Sequence, residues 1–131
     1  MNVFTQKLLD KSLDVPEAAE ALLKIGKIDV ADGRAYYPMM HAAEALLYEE
    51  KELSFNKHGD IHGAYGLYFA KTKILDPKFH RWLLDAYDQR IVGDYDVSSG
   101  LDEELVFEMI EHAREFLRTA KEYLARKSRE P

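Results

Sequence analysis

The chain has 131 residues and no cysteine, which excludes disulfides, thiolate metal sites and a cysteine nucleophile and fits a cytoplasmic protein. With 47% hydrophobic and 32% charged residues, 7 Gly and 4 Pro, the composition is that of one globular domain over 1–131, long enough to bury a core. The formal net charge of -6 argues against nucleic-acid binding through a basic field over the whole surface, while leaving room for a local cationic patch.

Met1 to Lys11 mix charged and apolar positions with no apolar core of signal-peptide length, and no stretch nears the roughly 20 apolar residues of a membrane-spanning helix. From Val3 to Ile25, Phe4, Leu8, Leu9, Leu13, Ala18, Ala19, Leu22 and Leu23 recur at helical spacing. Asp14-Val15-Pro16 predicts a break or kink in that helix, and Gly26 its end. A second helix is expected from Asp29 to Glu50, with Tyr36, Met40, Ala43 and Leu47 as its core stripe. Arg34, Tyr37, His41, Ala45 and Tyr48 form another stripe, too aromatic for a plain water-facing surface. Pro38 lacks an amide proton and crowds the carbonyl of Arg34, so it predicts a kink or a later helix start.

Ser54 to Gly59 reads as a loop. Ile61, Ala64, Tyr65, Tyr68 and Phe69 then mark a third helix to about Lys73. Asp76-Pro77 opens a fourth, with Asp76 as cap and Phe79, Trp82, Leu83, Ala86 and Tyr87 on its buried side, fading near Gly93. Asp94 to Gly100 is turn-rich, and Asp102, Glu103 and Glu104 suit the positive end of a long last helix. In that helix Arg114, Arg118, Lys121 and Arg126 alternate with Glu108, Glu111, Glu115 and Glu122, the pattern of a solvated face. With no strand-like alternation and no internal repeat, the expected fold is all-α, an up-and-down helical bundle of about five helices.

The run Arg34-Ala35-Tyr36-Tyr37-Pro38-Met39-Met40-His41-Ala42-Ala43-Glu44-Ala45-Leu46-Leu47 resembles the signature second helix of HEPN domains. Lys57-His58, Asp76-Pro77, and Arg90 followed by Asp94-Tyr95-Asp96 also fall where that family places similar residues, so the resemblance runs from about Leu8 to Leu124. It implies a homodimeric helical bundle with a polar cleft at or near the dimer interface, lined from the end of the fourth helix. It also implies a partner, a separately encoded minimal nucleotidyltransferase, in pairs that behave as toxin and antitoxin. The ribonuclease branches of the family place a histidine after the arginine with four to six residues between them, and cleave RNA without metal. Here those positions hold Tyr95, Asp96 and Val97, so the chain looks like the Asp-Tyr-Asp branch.

Arg90 can hold a phosphate as a fixed bidentate cation but cannot act as a base at neutral pH. Asp94 could serve as a base only if burial raised its pKa, and an adjacent arginine opposes that. Arg90, Asp94 and Tyr95 are therefore candidates for binding a nucleotide or RNA phosphate. An Arg90–Asp94 salt bridge one helical turn long is the structural alternative. Tyr95 reads as a core aromatic, and the resemblance implies the alternative of a modification site, since in some family pairs the nucleotidyltransferase adenylylates a tyrosine near this motif. Arg34, Tyr37 and His41 follow helical spacing and suit a dimer interface with the cleft beside it, or the cleft itself. His58, Asp60 and His62 raise the question of metal, but no third ligand stands at a convincing spacing, so neither metal nor cofactor is expected. His80 and His112 read as surface or boundary residues, and Trp82 and the 8 tyrosines as packing residues. Three functions stay open: a phosphate-binding homodimer that partners a nucleotidyltransferase, a metal-independent ribonuclease toxin in which Asp94 or Tyr95 replaces histidine, and a purely structural dimer.

Overall fold

The computed structural model describes residues 1–95 and 102–128, the side chains of 91–95 excepted. Helix α1 (Val3–Lys24) is capped by the Asn2 side chain, which accepts from the Phe4 amide. Of the break or kink expected at Asp14-Val15-Pro16, the break does not occur, and α1 runs on through Pro16. Proline forfeits a hydrogen bond to Ser12 and strains the turn, yet its ring is buried in the bundle, and tertiary packing outweighs the local preference.

The expected second helix divides in two. A single turn, α2 (Ile28–Ala31), precedes α3 (Tyr36–Lys51), which realises the later start that Pro38 allowed. Pro38 is the third residue of α3, within the first turn, where amides have no intrahelical acceptor and a missing proton costs little. Helix α4 (His58–Tyr65) continues into a wider π turn at Gly66–Ala70, so the third expected helix starts three residues earlier than Ile61 and ends at a local widening. Asp76 caps α5 (Lys78–Tyr95) through the Lys78 amide, and Asp102 caps α6 (Glu103–Ser128) through those of Glu104 and Leu105. Among the described residues there is no strand, and no helix is long and apolar enough to cross a membrane.

Helix α3 lies at the centre and touches α1, α4, α5 and α6. Its predicted stripe of Tyr36, Met40, Ala43 and Leu47 is buried, but so are Met39, Ala42, Ala45 and Leu46. A helix buried on most sides has little amphipathic contrast. Around it Leu9, Tyr65, Phe69, Phe79, Leu83, Phe116 and Leu117 complete the main core. Burying a side chain of this size stabilises by about 1.5–3 kcal/mol relative to exposure. A second cluster joins α1, α2 and α6 through Ala19, Leu23, Ala31, Val106 and Ile110, and it fixes α2 beside the start of α3.

Candidate functional site

The site begins with Gly33. Its φ of +81° lets the chain turn between α2 and α3, and a Cβ there would lie 3.5 Å from the Arg90 Cα and Cγ. The turn thus rests on α5 at Arg90, at a distance where a Cβ would be in ordinary contact, and it is the left-handed backbone that disfavours a side chain at 33. Gln89 on α5 donates to Asp32 Oδ1 at 3.0 Å, a second tie across the same seam. Arg34 lies in the turn before α3, and its Nε donates to the Val30 carbonyl at 2.8 Å. It therefore does not share a helical stripe with Tyr37 and His41, as its spacing predicted.

Tyr37 projects from the first turn of α3, and the Arg90 guanidinium carbon stands 4.9 Å from its ring centroid and 5.9 Å from that of Tyr36. Both fall within the roughly 6 Å range of cation–π attraction. The surface groove at this point, about 530 Å³, is lined by Arg34, Tyr37 and Arg90 together with Asp29, Asp32 and Gly33. Two guanidinium groups and two carboxylates share it, so its charges are of both signs and it carries no diffuse positive field.

Behind Tyr37 stand two imidazoles. His58, the first residue of α4, meets the Tyr37 ring edge-on at 5.9 Å between centroids, and His41 lies at 6.4 Å. His41 Nδ1 is 3.2 Å from Ser12 Oγ, and burial, with the His58 and Lys11 charges, holds its pKa below the ordinary value. One layer deeper, the Tyr36 hydroxyl lies 2.7 Å from His62 Nε2 and 3.4 Å from Met40 Sδ. Burial pushes the Tyr36 phenol pKa up and the His62 pKa down, so both groups stay neutral at physiological pH. The Tyr87 ring closes this layer at 5.0 Å from His62.

Of the residues singled out in the sequence, Arg34, Tyr37 and Arg90 share one groove, and His41 supports Tyr37 from behind. Helix α5 persists through Tyr95, which keeps Arg90 and Asp94 one turn apart. The side chains of Asp94 and Tyr95 lie outside the described residues, as do Asp96 and Val97. His58 and His62, raised as metal candidates, are engaged instead with the tyrosines of α3. His80 and His112 are boundary residues. His80 Nε2 lies 3.1 Å from the His62 carbonyl, and His112 stacks on Trp82 at 3.8 Å. Sequence reasoning did not find the Gly33 contact with Arg90 or the Tyr36–His62 pair. Asp32-Gly33 is a turn signal, but nothing in one sequence names the helix that comes to rest against it.

A match to the HEPN domain covers residues 5–123. The chain belongs to the HEPN domain family. A Methanocaldococcus jannaschii protein that carries a provisional toxin name is 31% identical over 123 residues, 94% of this chain and 83% of that protein. A UPF0332 protein of Gloeobacter violaceus is 31% identical over 121 residues, 92% of this chain and 95% of that protein. Another from Thermotoga maritima is 32% identical over 99 residues, 76% of this chain and 74% of that protein. In this HEPN domain the signature run spans the turn before α3 and most of α3 itself, so its arginine and its second tyrosine face the Arg90 groove.

Proposed function

We propose that this HEPN protein is a cytoplasmic homodimer that binds a nucleotide or RNA phosphate at the Arg90–Tyr37 groove and works beside a separately encoded minimal nucleotidyltransferase in a toxin–antitoxin-like pair. The observation that carries the reading is the Arg90 guanidinium held over the Tyr37 ring in an open groove shared with Arg34. Guanidinium groups suit phosphate because their planar donors bind two oxygens at once, and a half-exposed tyrosine offers a face on which a base can stack. The toxin role is supported by the provisional toxin names of two Methanocaldococcus jannaschii relatives. Tyr37 on α3, backed by His41 and with Arg34 beside it, supplies the aromatic and cationic surface that two-fold interfaces favour.

A second reading, metal-independent RNA cleavage, draws on His41 and His58. Both are in ring contact with Tyr37, and imidazole is the side chain best suited to move a proton near neutral pH. Controlled expression in a bacterial host separates the functions. Growth arrest by the wild-type chain that Arg90→Ala abolishes, and that co-expression of a minimal nucleotidyltransferase encoded beside it relieves, supports the toxin. Harmless wild type, or an equally toxic Arg90→Ala variant, contradicts it. If His58→Gln also abolishes arrest and intact cellular RNA is recovered with it, the cleavage reading gains.

A further inference from the structure

Two turns along α3 from Tyr37, Glu44 faces a different cavity of about 250 Å³, enclosed by α1, α3 and the segment that leads into α4. Leu8, Phe55 and Ile61 give it apolar walls, and Phe4 and Tyr48 stand at its rim, 72% and 46% exposed. Two large aromatic rings thus remain in water beside an apolar hollow. Glu44 itself is half-buried and makes no hydrogen bond or ion pair among the described residues. Burial raises its carboxyl pKa, and the charged group that opposes this is His58, from the start of α4; Lys11 on α1 bears on His41 instead. Some carboxylates elsewhere in the fold do find cations: Glu20 and Glu111 take Arg114, Asp10 takes Lys121, and Glu115 takes Lys78. A carboxylate drawn partly out of water with no cation in ion-pair contact is costly unless something brings that contact.

We propose that this cavity binds a small primary ammonium ligand with an apolar body, its N–H groups donating to Glu44 and its body lying between Leu8, Phe55, Ile61 and the Tyr48 ring. Carboxylate and aromatic faces around one hollow are the chemistry that selects an organic cation over a neutral molecule of the same shape. The volume lies below the roughly 300 Å³ at which ordinary ligand pockets begin, so the occupant has the size of benzylamine and not of a nucleotide. The site is separate from the Arg90 groove, with which it shares no lining residue.

Benzylamine and benzyl alcohol, titrated into the isotopically labelled full chain and followed by amide and side-chain NMR, test the proposal. At pH 7.5 the amine is expected to bind about tenfold tighter than the alcohol, with shifts centred on Glu44, Tyr48 and Phe55. Glu44→Gln should remove that preference while circular dichroism shows the helices intact. Should Glu44→Gln not fold, the wild-type chain carries the test alone: the preference must vanish as acid protonates the Glu44 carboxyl, followed through its carboxyl carbon. Equal affinity for amine and alcohol, a preference untouched by Glu44→Gln or by Glu44 protonation, shifts confined to the Arg90 groove, or no binding overturns the proposal.

Discussion

The guanidinium carbon of Arg90 lies 4.9 Å from the centroid of Tyr37, which joins the last part of α5 to the first turn of α3. Beside it, Gly33 makes the turn into α3 at a left-handed φ and rests on Arg90, so a residue with no side chain helps to shape the groove. Gly33→Ala forces a Cβ into the left-handed region, at a cost of about 1–2 kcal/mol, and sets it against Arg90. We expect an unfolding free energy from equilibrium urea titration lower by that amount, and altered Arg90 and Tyr37 NMR signals. A variant as stable as wild type, with those signals unmoved, would show that Gly33 does not shape the groove.

Tyr36 and His62 satisfy one another in the core, with His62 only 6% exposed. Tyr36→Phe keeps the ring and removes the partner of the imidazole, so a loss of about 1–3 kcal/mol in unfolding free energy is expected.

The pH dependence has a defined sign. Burial depresses the pKa of His62 and of His41 in the folded state, so the unfolded chain binds protons more readily. Their contribution to stability is complete above the ordinary histidine value of about 6.5 and falls as pH drops below it towards the depressed folded values. Urea titrations at pH 7.5 and 5.5 should show a smaller loss on acidification for His62→Gln than for wild type. An unchanged loss would place the acid sensitivity in other groups.

Two glycines of the third helical segment should respond in opposite ways to alanine. At Gly66 a Cβ would come within 2.6 Å of the His80 ring, whereas at Gly63 nothing lies within 4 Å. Gly66→Ala should displace His80 from the His62 carbonyl and cost about 1–3 kcal/mol. Gly63→Ala should be neutral or stabilise by up to about 1 kcal/mol, because alanine loses less backbone freedom in a helix. Thermal unfolding of the two variants decides it, and similar shifts for both would contradict the packing at His80.

Tyr65 is buried, and its hydroxyl finds no hydrogen-bond partner among the described residues. Tyr65→Phe removes that unpaired group without emptying the core, so stability should hold or rise by about 1 kcal/mol. A clear loss in calorimetry would mean that the hydroxyl is bonded in solution.

Much of the fold was legible because helix periodicity and capping are local. Asp76 and Asp102 do cap the helices they announce, and the α3 stripe is buried where its spacing placed it. Pro16 misled because its cost is local while its compensation is tertiary: the ring packs inside the bundle, and one sequence does not display that gain. The site was legible only in part for the same reason. Arg34, Tyr37 and Arg90 could be named by residue type and resemblance, but their meeting depends on the fold of Gly33 onto α5 across some fifty-seven residues of chain, the separation of Gly33 and Arg90. His58 drew notice as a metal candidate, yet its ring packs on Tyr37, a contact set by how α4 crosses α3.

The central claim, phosphate recognition at the Arg90–Tyr37 groove, is tested most directly by the fluorescence anisotropy of a labelled single-stranded RNA oligonucleotide. Wild type should bind it more weakly as salt rises, since phosphate contacts release counterions. Arg90→Ala should bind at least about tenfold more weakly, as expected for loss of a charge-assisted pair. Arg90→Lys should recover only part of that loss, because a point charge replaces a planar, stacked one. Binding by Arg90→Ala equal to that of wild type, or no binding by wild type at low salt, would contradict the claim.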